Sequence, residues 1–189
     1  MPPTQIHQGP RRAPEGGSAT RLGGVRVFVP ATLTMLQRLV ADGTLRPVNG
    51  TAFAVTPTLR EAYAEGDEEE LADVALRDAA LASLRLLGDE GETTLPSRRA
   101  VLEVDADDVT LRPDLDDAVV RVAGDIDLTK VIAAYVDNAA AETAVTAAVD
   151  AVDEADLGDE DAELTVGDAQ DHDLAWYAAQ ELPFLLELL

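Results

Sequence analysis

The sequence predicts one α/β or α+β domain with a mixed sheet of about five strands flanked by helices. Residues 25–29 alternate valine with other side chains, and apolar residues then repeat at helical spacing over residues 33–40. Further valine-rich segments lie at residues 99–105, 118–123 and 131–136, separated by acidic turns. The chain has 189 residues, 47% of them hydrophobic, which fits one core rather than two.

The first strand and helix form the most regular unit of the sequence. Pro30 is predicted to end the strand, because proline has no N–H to donate to a sheet ladder. Thr32 is a suitable N-cap for the helix, and Gly43 is a suitable end. A strand that leads into a helix in this way favours a βαβ unit. The turn between them has no glycine fingerprint for phosphate, so a role in the core is favoured over ligand binding.

A second strand and two helices are predicted to follow. Residues 51–55 form a short strand, and Thr56 with Pro57 is a well-matched helix start. Asp67 and Glu70 have the spacing of a capping box. The helix that they open is expected to run to about Leu87.

The last third of the chain is predicted to contain two helices around one short strand. Asn138 is a suitable cap for the first of these helices. Residues 164–166 then resemble a short strand. The last helix is expected to run from about Ala169 past Glu181, with a kink or stop at Pro183.

The first residues of the chain differ in composition from the rest. Residues 1–24 are rich in proline, glycine and arginine and hold few apolar residues. Such a segment buries too little surface to offset its chain entropy, so we expect a disordered extension before a single acidic domain at residues 25–189. The segment also lacks the continuous apolar stretch of a secretory signal.

The charge of the chain limits the partners that it can have. With 37 acidic against 14 basic residues, the formal net charge is −23. Phosphates of nucleic acids and anionic membranes are repelled by such a surface, whereas solubility, basic partners or a high-salt cytoplasm are favoured. The sequence has no cysteine, which excludes disulfides and thiolate chemistry. No apolar run approaches the roughly 20 residues of a membrane span. We therefore expect no nucleic acid, no membrane and no cofactor.

Three stretches of the sequence resemble a known family. They are VRVFVPATLTMLQRLVADG (25–43), TAFAVTPTLREAYAEGDEEELADVALRDAA (51–80) and AAVDAVDEADLGDEDAELTVGDAQDHDLAWYAAQELPFLL (147–186). Together they resemble an uncharacterised family of actinobacterial proteins, known as a domain of unknown function. The resemblance covers nearly all of residues 25–186 and implies a bacterial cytoplasmic protein. It implies no activity, cofactor or catalytic residue.

The predicted C-terminal helix holds the best candidates for a binding site. On a helix, His172, Trp176 and Gln180 are neighbours on one stripe, and Tyr177 and Glu181 lie on the next. These side chains could bind a polar ligand, with His172 as an acid or base near neutral pH. Alternatively, Trp176 packs partly buried to dock the helix, while His172 is exposed.

Arg60 is a further candidate. If the first two strands are parallel, the helix that carries Arg60 starts near Thr32, and its guanidinium could bind a carboxylate or phosphate. A surface arginine of this kind more often pairs with acidic side chains, which are abundant here.

The acidic clusters at residues 105–108, 114–117 and 156–161 offer oxygen ligands for a metal ion. None of them has the spacing of an EF-hand loop, so we interpret them as a solvated face and predict no metal site.

Three classes of function are compatible with the sequence. The leading hypothesis is a non-enzymatic cytoplasmic interaction or regulatory protein with a protein partner. The alternative is a small-molecule binding protein or enzyme that uses His172, Tyr177 and Glu181, with Arg60 as a further candidate. A third class, an acidic mimic of nucleic acid, would need carboxylates along an elongated face. The sequence contains no Gly-x-Ser-x-Gly nucleophile motif.

Overall fold

The computed structural model describes residues 21–189 and shows a mixed α and β domain. Its ten strands are β1 (Arg21–Leu22), β2 (Val25–Ala31), β3 (Thr44–Leu45), β4 (Thr51–Phe53), β5 (Ala100–Ala106), β6 (Val109–Leu111), β7 (Val119–Val122), β8 (Ile126–Asp127), β9 (Val131–Val136) and β10 (Ala175–Ala178). Its six helices are α1 (Leu33–Asp42), α2 (Pro57–Ala62), α3 (Glu68–Asp89), α4 (Glu142–Asp156), α5 (Glu160–Gln170) and α6 (Leu182–Glu187).

Eight strands form one sheet in the order β1-β6-β7-β4-β2-β5-β9-β10, and β3 pairs with β8 in a separate ribbon. Every pairing is antiparallel. The expected mixed sheet of about five strands is therefore wrong in strand number and direction. Most of the strands that the sequence did not reveal are two or three residues long, too short for a clear alternation.

No βαβ unit follows the first strand. After α1, the chain returns through β3 and β4 runs antiparallel to β2, with Phe53 opposite Phe28. Consequently the condition under which Arg60 would lie near Thr32 is not met.

Helices cover both faces of the sheet. One face of the central strands packs against α1 and α6, through residues such as Val27, Val29 and Leu102. The opposite face packs against α3, through residues such as Phe28 and Val101. This alternation follows from the two-residue period of a strand.

The helices α4 and α5 form a further layer on α3. Leu84 of α3 lies in one buried cluster with Val145 and Val152 of α4 and Val166 of α5. The prediction of a strand at residues 164–166 is wrong, because this segment lies in α5 and its buried residues recur at helical spacing.

The helix starts are confirmed by their hydrogen bonds. Thr32 Oγ1 accepts from the Met35 amide at 3.2 Å, and Thr56 Oγ1 accepts from the Leu59 amide at 3.0 Å. Both bonds of the capping box are present at the start of α3. Asn138 caps a 3₁₀ turn that leads into α4.

Pro30 does not end the first strand, contrary to the prediction. It lies inside β2, opposite Val101 of β5. Strand β2 continues beyond Pro30 because it pairs with β5 along its whole length, from Val25 to Ala31. Its ladder with β4, by contrast, contains the single pair Phe28–Phe53 and does not involve the proline.

The predicted C-terminal helix is also wrong. Helix α5 ends at Gln170, and residues 175–178 form strand β10, paired with β9. The segment Ala-Trp-Tyr-Ala gains sheet hydrogen bonds from the exposed edge of β9, and this partner outweighs the helical preference of its alanines. A 3₁₀ turn over Ala179–Glu181 then leads into α6.

Most of the predicted N-terminal extension, residues 1–20, lies outside the described residues. Arg21 and Leu22 form β1 and pair with Thr110 and Val109 of β6. In the described part of the chain, no helix is long and apolar enough to cross a membrane.

Candidate functional site

A cavity of about 590 Å³ opens between α3 and the segment that joins α5 to β10. We call it the α3 cavity. Its lining combines charged, polar and apolar side chains from α3, the sheet and the joining segment. These residues are Asp73, Leu76, Arg77, Ala80, Arg99, Tyr135, Gln170, Asp171, His172, Asp173 and Leu174.

A buried ion pair holds Arg99, which lines the floor of the α3 cavity. Arg99 is 2% exposed and Asp137 is fully buried. The Arg99 guanidinium donates from Nε to Asp137 Oδ2 at 2.8 Å and from Nη2 to Asp137 Oδ1 at 2.7 Å. The Arg99 amide also donates to Asp137 Oδ2, at 2.8 Å. This two-pronged geometry is the strongest arrangement of an arginine and a carboxylate.

The chain topology brings these two residues together. Arg99 directly precedes β5 and Asp137 directly follows β9, and the two strands are antiparallel neighbours. The end of one strand therefore meets the start of the other, and the Asp137 amide donates to the Arg99 carbonyl at 3.1 Å.

Arg99 also positions the segment before β10. Its Nη2 donates to the carbonyl oxygen of His172 at 2.7 Å. The guanidinium makes its three bonds from Nε and Nη2, and Nη1 takes part in none of them. No buried side-chain nitrogen or oxygen within residues 21–189 lacks a hydrogen-bond partner.

Tyr135 forms one wall of the α3 cavity. Its hydroxyl donates to Glu103 Oε2 at 3.1 Å, and Glu103 Oε1 lies 2.6 Å from Arg26 Nε. Burial, together with the negative charge of Glu103, raises the pKa of Tyr135 to about 12. Tyr135 therefore stays protonated near neutral pH and can donate a hydrogen bond, but it cannot act as a base there.

The rim of the α3 cavity holds opposite charges. Asp73 and Arg77 are one turn apart on α3, and Asp171 and Asp173 lie on the joining segment. We call Asp73, Asp171 and Asp173 the rim carboxylates. Within the described residues, Arg77 takes part in none of the ion pairs.

Of the six residues predicted as a site, His172 alone lines the α3 cavity. Trp176 lies in β10 opposite Tyr135, so the two side chains share a sheet face, and Trp176 is 58% exposed. The next residue, Tyr177, points to the other face and packs against the core under α1. On the predicted helix, Trp176 and Tyr177 would lie on adjacent stripes. In the strand they point to opposite faces of the sheet, because successive side chains of a strand alternate.

The remaining predicted residues lie elsewhere. Gln180 and Glu181 belong to the 3₁₀ turn before α6, and Gln180 lines a different cavity beside the end of α1. Arg60 of α2 pairs with Glu68 at 2.8 Å, as expected for a surface arginine among abundant acidic side chains.

Arg77, Arg99 and Tyr135 were not predicted as site residues from the sequence. One signal for Arg99 was present, since a basic residue starts one valine-rich strand and an acidic residue, Asp137, ends another. If those strands are antiparallel neighbours, their charges must meet. The sequence contains no comparable signal for the rim of the cavity.

A second surface adjoins the α3 cavity. Strand β10 is the last strand of the sheet, and no described strand pairs with its outer side. We call this side, with the exposed Trp176, the β10 edge. The described residues contain no cluster of three or more His, Asp or Glu side chains that could hold a metal ion.

Comparison with known proteins gives a family without a function. Residues 25–186 match a family of unknown function (DUF6912), and the chain belongs to this family. No curated protein matches the sequence, and no solved structure matches the fold. Sequence and fold similarity therefore assign no activity to the chain.

Proposed function

We propose that this protein is a non-enzymatic interaction protein that binds an extended, basic segment of a partner protein along the β10 edge. The partner segment would add a further strand to the sheet. Main-chain hydrogen bonds would supply affinity, and Trp176 would contact the side chains of the added strand.

The observation that carries this proposal is the open edge of β10 beside an exposed tryptophan. An unpaired strand presents a row of free N–H and C=O groups, which natural proteins usually shield. Here the edge carries the only tryptophan of the sequence, 58% exposed. Tryptophan is enriched among the residues that dominate binding energy at protein interfaces.

The charge of the chain supports a basic partner. Asp171 and Asp173 precede β10, and Glu181 follows it, so both ends of the edge are acidic. The formal net charge of −23 would attract a lysine- or arginine-rich segment and would oppose pairing of two copies of this chain.

A defined peptide tests the proposal directly. The probe is a peptide of about ten residues in which valine and arginine alternate. In its control, proline replaces the two central valines, which keeps the length and the charge and prevents strand pairing. Amide hydrogen exchange of the full chain is measured with each peptide. We expect slower exchange in residues 175–178 with the first peptide and no change with the second. Equal protection by both peptides, or protection confined to other segments, would contradict the proposal.

Trp176 provides a second, independent readout. Trp176→Ser should weaken binding of the valine–arginine peptide by about tenfold or more, since hot-spot residues contribute roughly 2 kcal/mol. Phe184→Ser is the matched control, because Phe184 is also aromatic and is 69% exposed on α6. If both variants bind as the unaltered protein does, Trp176 is not part of the contact.

Origin and location are part of the same proposal. We infer a cytoplasmic protein of an actinobacterium, as the family resemblance implies. A sequence with many Ala, Val, Asp and Arg residues and a single lysine, Lys130, supports a GC-rich coding sequence. Fractionation of cells that express the tagged protein from its own gene tests the location.

A further inference from the structure

We propose that the α3 cavity binds a small zwitterion, namely a free amino acid with an apolar side chain. The rim carboxylates would accept hydrogen bonds from the ammonium group, and Arg77 would donate to the carboxylate. Leu76, Ala80 and Leu174 would contact the apolar side chain. This site adjoins the β10 edge and shares Asp171 and Asp173 with its acidic surroundings, but it does not depend on the function proposed for that edge.

The arrangement of charge at the rim selects for a ligand that carries both signs. A purely anionic ligand would face three carboxylates. A purely cationic ligand would pair with the carboxylates but would leave Arg77, which forms no ion pair within residues 21–189, without a partner. A zwitterion satisfies both groups. It also has no net charge, so the negative field of the whole protein does not repel it.

Arg77 is the residue best suited to hold a carboxylate. Within residues 21–189 it forms no ion pair, although Asp73 lies four residues earlier on the same helix. Its planar fork matches the two oxygens of a carboxylate. Arg99, by contrast, is already neutralised by Asp137.

The size and the lining of the cavity suit a ligand of this class. Its volume of about 590 Å³ lies within the range of roughly 300–1,000 Å³ that is usual for small-molecule sites. Apolar side chains and the ring of Tyr135 lie beside the charged rim, which is the combination that such sites share.

Three related molecules separate the parts of the proposal. The probes are L-leucine, 3-methylbutylamine, which lacks the carboxylate, and 4-methylpentanoate, which lacks the ammonium group. Binding to the full chain is measured by calorimetry and by saturation-transfer NMR. We expect L-leucine to bind at least about tenfold more tightly than either analogue. Equal binding of all three, or no detectable binding of L-leucine, would overturn the proposal.

Two arginine variants then locate the site. Arg77→Gln should remove the advantage of L-leucine over 3-methylbutylamine while leaving binding of the amine unchanged or stronger. Arg38→Gln is the matched control, because Arg38 is also exposed on a helix but does not line the cavity. If Arg77→Gln and Arg38→Gln bind L-leucine alike, the assignment of Arg77 is wrong.

The same variants distinguish this site from the β10 edge. Arg77→Gln should leave binding of the valine–arginine peptide unchanged, and Trp176→Ser should leave binding of L-leucine unchanged. The peptide assay and the L-leucine assay can therefore fail independently, so each proposal is tested without the other.

Discussion

Removal of Arg99 should be among the most destabilising single changes in this protein. The variant Arg99→Met keeps much of the apolar volume of the side chain but leaves the fully buried Asp137 without its cation. It also removes the 2.7 Å hydrogen bond to the His172 carbonyl. Breaking a buried ion pair by removing one partner costs about 3–5 kcal/mol, because the remaining charge stays buried and unpaired.

This magnitude is large relative to the stability of a typical domain, roughly 5–15 kcal/mol. For a chain of this size, each kcal/mol lowers the melting temperature by about 2–4 °C, so Arg99→Met should lower it by about 6–20 °C. Urea and thermal unfolding are followed by circular dichroism, which does not depend on the environment of the single tryptophan. Arg46→Met is the control, since Arg46 pairs with Asp125 at 2.8 Å in an exposed position and its loss should cost about 1 kcal/mol or less.

A double variant tests the physical reason. Arg99→Met with Asp137→Asn removes both charges, and the Asn side chain can still accept from the residue 99 amide. The double variant should lose less stability than the two single variants lose together, by about 1–3 kcal/mol. In each single variant one charge stays buried without its partner, whereas the double variant contains neither charge. Additive losses, or a loss below about 1 kcal/mol for Arg99→Met alone, would refute the argument from the buried pair.

Three further predictions concern stability. Burial, with two nearby carboxylates, raises the pKa of Asp78 to about 6, so its charged form opposes folding above that pH. Asp78→Asn should therefore stabilise the protein by about 1 kcal/mol at pH 7, a value reduced because the carboxylate is partly exposed. This gain should vanish as the pH falls below about 4, where Asp78 is protonated in both the folded and the unfolded protein. Urea melts between about pH 4 and 7 measure the difference. Ser83→Ala should cost about 1–3 kcal/mol in the same melts, because Ser83 Oγ donates to the Ala31 carbonyl at 2.7 Å and accepts from the Ala100 amide at 3.0 Å. The control Ser97→Ala, at a partly exposed position in the loop before β5, should cost less than about 0.5 kcal/mol. Finally, the melting temperature should rise as NaCl is increased to about 1 M, because salt screens the repulsion within a chain of net charge −23. A melting temperature that stays constant or falls would exclude charge repulsion as a main influence on stability.

Local signals in the sequence determined the helix starts and the longest strands. Thr32, Thr56 and Asp67 cap their helices as predicted, because an N-cap involves residues that are at most three or four positions apart. The strands β2, β5, β7 and β9 lie where their valine-rich segments predicted them. These features depend on nearest neighbours along the chain and on the two-residue alternation of a strand, so one sequence suffices to find them.

The tertiary structure alone decided the direction of the strands, the state of residues 175–178 and the composition of the candidate site. Strand pairing joins residues far apart in sequence, so neither the antiparallel order nor the short strands could be read from local pattern. The segment 175–178 is too short to show a period, and the free edge of β9 made it a strand. That pairing separated Trp176 and Tyr177 from His172, while the antiparallel contact of β5 with β9 brought Arg99 to Asp137. The physical reason is that strand pairing and buried ion pairs join residues far apart in the sequence. These residues come into contact only in the folded chain, so local sequence patterns do not reveal their interactions.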